Sequence, residues 1–384
     1  MEIAVRLLKG VLALIYAFMK LLPVKDNKIV FCSRQSSVVP LDFALIQEEL
    51  EKRQDGLCVV NICNRIGKGA GAYASFAVDT LKSMKHMATS KVCVLDTYWP
   101  AASMLNHKKE LTIIQIWHAI GKIKKSGMIT AGTKTGRDPK IAALFNMHEK
   151  NDYIIAGAKA FDQFYRDSFG DYDYTLLNYG LPRIDYLINN EQANRERFFE
   201  ENPELEGRTI LLYAPTFRRG MEARWRDIID VVDPEKYTLI IKNHPTQRIE
   251  GERPAEHVKY FDNWEAVDLL AVSDYVITDY SAIALEAAVL RKKTLYWVYD
   301  YDAFVAENGL NVDMFESMPG LAFKDAAEMM AFIDKNEYPM ERLDAYRQKY
   351  LPEDLGHSAE KIAQLILDTL DGKTVEGNGT VKGN

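Results

Sequence analysis

The sequence predicts an α/β protein of two Rossmann-like, doubly wound domains behind an amphipathic amino-terminal helix. Three observations predict it. The chain has 384 residues, more than one hydrophobic core usually serves. Two separate series of short, continuously apolar segments alternate with helical patterns, as strands of a parallel sheet covered on both faces should. Between the two series lies "YLINNEQANRERFFEENPELEGR", a polar, charged and helical connector that places the domain boundary between Leu187 and Arg208.

The first series runs "KIVFCS" (strand), "LDFALIQEELEKR" (helix), "GLCVVNICN" (strand), "ASFAVDTLKSMKHMAT" (helix), "KVCVLDT" (strand) and "LTIIQIWH" (strand). The second runs through "TILLYAPT", "YTLIIKNHP", "VKYFD", "YVITDYS" and "KTLYWVYD". "LGHSAEKIAQLILDTL" closes the chain as an amphipathic helix, and the tail "DGKTVEGNGTVKGN" has no hydrophobic pattern, which predicts mobility. The expected organisation is therefore a helix over 1–24, a first Rossmann-like domain over 25–188, a second over 189–355, a closing helix over 356–371 and a tail over 372–384. Two such domains are expected to turn the carboxyl ends of their strands toward a common cleft.

In "EIAVRLLKGVLALIYAFMKLLPVKD" the apolar run between Lys9 and Lys20 is too short to cross a bilayer, which takes about twenty apolar residues. Glu2, Arg6, Lys9, Ala13, Tyr16 and Lys20 recur at helical steps, leaving a broad face of Ile3, Leu7, Leu8, Val11, Leu14, Ile15, Phe18 and Leu22. That pattern predicts a helix lying in the membrane interface with its lysines toward anionic headgroups. Packing on the protein's own core is the alternative. A secretory signal is disfavoured because no small-residue cleavage site follows. The net charge of −7 argues against nonspecific nucleic-acid binding. Cys32, Cys58, Cys63 and Cys93 lack zinc-type spacing and read as reduced thiols of a cytoplasmic protein, with no metal expected.

Polar and cationic residues follow four strands. After "TIIQI" come Trp117, His118, Lys122, Lys124 and Lys125; after "ILLY" come Thr216 and Arg218; after "TLII" come Lys242 and His244; after "YVI" come Thr278, Asp279, Tyr280 and Ser281. The last group sits where a strand gives way to an Ala/Leu/Glu helix, a place where orphan amides and the helix dipole can hold an anion. Helix caps alone do not account for two histidines and several cations at strand ends. The glycine run in "RIGKGAGAY" lacks the ending of a phosphate loop and reads as flexible, and "YDYD" suits a turn as well as a carboxylate pair.

"IWHAIGKIKKSG", "NYGLPRIDYL", "LLYAPTFR", "IIKNHP" and "LLAVSDYVITDYSAIALEAAVLRKKTLYWVYDYD" resemble the sequential blocks of the CDP-glycerol glycerophosphotransferase family, the teichoic-acid primases and polymerases. The resemblance runs from about Val24 to the final helix. It implies a glycosyltransferase-B type fold and transfer of a glycerol-phosphate or ribitol-phosphate unit from a CDP-activated donor to a lipid-linked acceptor. It implies peripheral association with the cytoplasmic face of the cell membrane and no resident cofactor. By the same resemblance His118 is the base and His244 a second catalytic position. His244, Thr278, Asp279, Tyr280 and Ser281 match the family's donor-binding positions, and Thr216, Arg218 and Lys242, at the neighbouring strand ends, are read as donor-binding with them. Lys122, Lys124, Lys125, Lys134, Arg137 and Lys140 form a basic segment that suits either a polyanionic acceptor or a charge-rich solvated loop. Ala119, Ala282 and Asn308 depart from the residues common at their positions, and the last removes a cation. The competing readings are a nucleotide-sugar glycosyltransferase of the same architecture and an inactive, membrane-bound polymer-binding protein.

Overall fold

The structure is a computed structural model that describes residues 2–65, 67, 69–216, 224–243, 258–377 and 380–381. The chain forms two compact units. The first comprises Met1–Ile120, Lys125–Asp185 and Asp354–Asn384, the second Gly121–Lys124 and Tyr186–Glu353. The consecutive blocks expected from the sequence do not contain this double crossing, because a short excursion such as Gly121–Lys124 leaves no periodicity to read.

The first unit is built on β1 (Lys28–Ser33), β2 (Cys58–Cys63), β3 (Val92–Leu95), β4 (Thr112–Gln115), β5 (Tyr153–Ile155) and β6 (Tyr174–Leu177). They pair in parallel in the order β6-β5-β4-β3-β1-β2. The sequence order reverses between β1 and β3, which makes that gap the topological switch point where open α/β sheets bind ligands. Short β5 and β6 escaped the periodicity reading. So did the tail: Thr380 and Val381, expected to be mobile, pair antiparallel with Thr175 and Tyr174 at the β6 edge.

Three helices matter to this unit: α1 (Glu2–Met19), α2 (Leu41–Arg53) and α3 (Ala70–Met87). Phe43 of α2 meets Phe31 of β1 edge to face, with ring centroids 5.0 Å apart. Tyr16 of α1 is buried with Val30, Cys93, Leu95 and Trp99, and Leu12, Ile15 and Met19 pack against the same cluster. The closing helix Ser358–Leu370 returns to the first unit, packing on α2. Its first amides, of Ser358 and Ala359, donate to the Asp185 carboxylate at 3.0 and 2.7 Å, a cap supplied from far away in sequence.

The second unit holds β7 (Thr209–Tyr213), β8 (Tyr237–Ile241), β9 (Val258–Lys259), β10 (Tyr275–Thr278), β11 (Lys293–Trp297) and β12 (Ala322–Phe323). Their parallel order is β12-β11-β10-β7-β8-β9, with the switch point between β7 and β10. The expected connector is the helix Pro182–Glu201, the longest of those described.

Candidate active site

His118 follows β4 in the first unit. Its Nδ1 lies 2.9 Å from the backbone carbonyl of Asp96, at the end of β3. A carbonyl can only accept, so Nδ1 carries the hydrogen and the proton-accepting lone pair is on Nε2. The preceding residue is strained: Trp117 has φ 63°, a left-handed conformation unusual for a bulky side chain. Buried Gln115 holds it there, accepting from the Trp117 amide at 3.0 Å and donating to the Thr97 carbonyl at 3.1 Å. The indole lies against the His118 ring, with centroids 4.4 Å apart, and meets Phe169 edge to face. Strand ends β3 and β4 are thereby bolted together around the imidazole.

Asp96 is 3% exposed and accepts the Ser33 hydroxyl from β1 at 2.5 Å. Burial pushes its carboxyl up to about 7; the Asp42 charge adds to the rise, and the Ser33 hydrogen bond and Arg34 oppose it. The raised value has a stability consequence with a definite sign. Between about pH 4 and pH 7 the folded chain binds a proton that the unfolded chain has released, so folding loses stability as pH rises through this window. A shift of about three units corresponds to at most ~4 kcal/mol. Asp96→Asn keeps an acceptor for Ser33 and removes the titration. Denaturant melts should show the variant's stability relative to wild type rising by ~2–4 kcal/mol from pH 4 to pH 8. A pH-independent difference counts against the raised carboxyl.

In the second unit the polar cluster after β10 is mostly internal fastening. The Thr278 hydroxyl donates to the Ala214 carbonyl at 2.8 Å, and the Asp279 carboxylate accepts the amides of Thr216 (2.9 Å) and Tyr280 (2.6 Å). Both side chains are fully buried, so they tie the ends of β7 and β10 together at the switch point. Tyr280 is also buried; it stacks on Phe304 with centroids 3.7 Å apart and donates to Asp300 at 3.0 Å. Asp300 of the "YDYD" stretch is thus a structural acceptor. Ser281 alone of the four keeps accessible surface, and its Oγ accepts the Ile283 amide at 3.4 Å as the helix Ile283–Val289 begins. Lys242 spends its Nζ on the Phe261 carbonyl at 3.0 Å, and Thr216 is buried. Arg218 and His244 lie outside the described residues.

The lysines after His118 do not form one exposed basic segment. Lys122 is 2% exposed, and burial lowers its pKa well below the usual lysine range. Asn311 fixes this stretch within the second unit, donating its side-chain amide to the carbonyls of Lys122 (3.0 Å) and Lys124 (3.2 Å), and Lys124 bridges to Leu310. Lys125 is exposed and belongs to the first unit. No group of three or more metal-ligating side chains occurs among the described residues. Sequence reading missed Ser33, Asp96 and Gln115, although each closes a strand in the manner that singled out the other sites.

Two doubly wound units, each with polar residues at its switch point, are the architecture of the glycosyltransferase-B fold class. The chain belongs to the family of CDP-glycerol:poly(glycerophosphate) glycerophosphotransferases, whose model matches residues 14–368. It is 27% identical over 375 residues to a teichoic acid ribitol-phosphate primase of Bacillus spizizenii, covering 94% of this chain and 96% of that one. It is also 27% identical to a teichoic acid poly(ribitol-phosphate) polymerase of the same species, with 92% of this chain covered but only 58% of the polymerase. The structure of the wall teichoic acid polymerase TagF shares the fold, with a TM-score of 0.72 at 19% identity and 97% of each chain covered.

Proposed function

We propose that the protein transfers a glycerol-phosphate or ribitol-phosphate unit from its CDP-activated donor to a hydroxyl of a lipid-linked acceptor in teichoic-acid or related capsular-polymer synthesis, with release of CMP. The observation that carries this reading is the His118 imidazole, preset as a base in a chain of this family. Nε2 takes the proton of the attacking hydroxyl, the hydroxyl oxygen bonds to the phosphorus bearing the polyol, and the bond from that phosphorus to the CMP oxygen breaks. The charge gathering on the leaving phosphate calls for amide and cationic donors, for which the β7–β10 switch point with Ser281, and the Arg218 and His244 positions, are the assigned place. The reaction runs on the cytoplasmic face of the membrane, with α1 as the peripheral anchor; no described helix is long and apolar enough to cross a bilayer.

The test is product analysis. With a lipid-linked saccharide acceptor, CDP-glycerol or CDP-ribitol should yield CMP and a product heavier by one or more polyol-phosphate units. Release of a nucleoside diphosphate from a sugar donor, with no CMP from either CDP-polyol, would overturn the reading in favour of a glycosyltransferase.

A further inference from the structure

Arg34 immediately follows β1, on the carboxyl side of the first unit's switch point. Its guanidinium lies between the rings of Phe76 and Tyr98, 5.9 and 5.4 Å from their centroids. Nε is buried, and no group among the described residues accepts a hydrogen bond from it. Of the nearby carboxyls, Asp96 takes the Ser33 hydroxyl and the Arg34 backbone amide, and Asp42 is held by Arg183. Burial lowers the Arg34 pKa and the charge of Arg137 lowers it further, while Tyr98 and Asp96 oppose them. The loop carrying Arg137 is tightly folded: a Cβ on Gly136 would sit 1.6 Å from the Thr130 carbonyl oxygen, and the Gly132 amide donates to the Arg137 carbonyl at 2.8 Å. Asp96 is the carboxyl that acts on Arg34, but burial pushes that carboxyl up to about 7, so near neutral pH it offsets the guanidinium only in part and leaves Nε unpaired; an anion would complete the site.

The site is continuous with the imidazole. From Tyr98 the ring contacts pass to His148 (5.5 Å), from His148 to Trp117 (6.0 Å) and from Trp117 to His118 (4.4 Å). A second connection runs from Ser33 to Asp96, whose backbone carbonyl orients His118. We propose that Arg34, assisted by Arg137, binds a phosphate group of the acceptor, positioning the polyol hydroxyl beside that phosphate for deprotonation by His118. This rests on the transfer reaction proposed above for its meaning in turnover, but the anion site itself stands on the unit's own geometry. A guanidinium offers a planar pair of donors suited to two phosphate oxygens, and the flanking rings restrict its orientation.

Calorimetry with sn-glycerol 3-phosphate and with inorganic phosphate, in the absence of CDP donor, tests the site. Wild type should bind both, Arg34→Gln at least tenfold more weakly, and Arg137→Gln several-fold more weakly. In turnover, Arg34→Gln should raise the acceptor KM about tenfold or more and leave the donor KM unchanged. If Arg34→Gln does not fold, hydrogen exchange on wild type reports instead: sn-glycerol 3-phosphate should slow exchange in segments 33–36 and 97–99. Equal affinity of Arg34→Gln and wild type, or unaltered exchange in both segments, overturns the proposal. Loss of phosphate binding in Arg34→Gln, in a protein that releases no CMP from any CDP-polyol, would keep the anion site and remove the reaction. CMP release with unaltered phosphate affinity would do the reverse.

Discussion

His118→Ala is expected to lower turnover by about a hundred- to ten-thousand-fold, the usual contribution of one positioned base, while CDP-donor affinity stays near wild type. The structure gives this expectation a more specific form than the presence of a histidine could. Because Nδ1 is committed to the Asp96 carbonyl, the ring has one available tautomer and one basic nitrogen. Asn at position 118 would preserve much of the polar surface without a group that can accept a proton near neutral pH, and should be as impaired as Ala. The positions proposed for the donor belong to the other unit, so loss of the imidazole should not weaken donor binding. Single-turnover CMP release with acceptor present, set beside calorimetric donor affinity, checks both halves. Near wild-type CMP release from folded His118→Ala removes the residue from the chemistry, and a loss confined to donor affinity reassigns it to binding.

The two parallel sheets were legible because each strand is a continuous Val/Ile/Leu run between helical patterns, and burial on both faces demands that composition. β5 and β12 were not, since three and two residues carry no usable period. Placement of site residues at strand ends followed from topology; whether a side chain points at ligand or at protein did not. Asp279 illustrates the limit. In sequence it reads as a ligand-facing carboxylate beside Ser281; in the structure it is fully buried and accepts backbone amides from two strand ends, a pairing 63 residues apart that no local pattern announces. Lys122 shows the same limit for cations, since it is buried in a stretch whose backbone carbonyls are held by Asn311, far away in sequence. Gln115 was invisible for a related reason: an amide at the end of an apolar run gains meaning only once Trp117 and Thr97 are its partners.

The other large effect expected concerns α1 and membrane binding. The helix has two faces, but not as the sequence suggested. Tyr16 is buried, and the lysines expected to reach lipid headgroups turn to the protein: Lys9 donates to the Leu144 carbonyl (3.0 Å) and the Asn146 side chain (2.6 Å), and Lys20 to the Asn106 carbonyl (3.0 Å). The outward face keeps an apolar ridge, with Ile3 79%, Leu7 69%, Leu14 61% and Phe18 66% exposed, and the helix's first turns also expose the Arg6–Glu2 ion pair. Full burial of one such side chain is worth about 1.5–3 kcal/mol, so partial insertion of this ridge into a bilayer interface can supply on the order of 5–10 kcal/mol. Deleting the helix is a poor test, because Tyr16, Leu12, Ile15 and Met19 would leave the first unit's core with it. Leu7→Ser, Leu14→Ser and Phe18→Ser together change only the exposed ridge and should reduce sedimentation with vesicles about a hundredfold or more while the thermal melt is kept. Since the lysines are engaged internally, replacing anionic lipid by phosphatidylcholine should weaken wild-type binding only about tenfold or less, at roughly 1 kcal/mol for each basic residue still near the surface. Vesicle binding by the triple variant equal to wild type would take membrane association away from α1, and binding that vanishes on phosphatidylcholine would return it to charge.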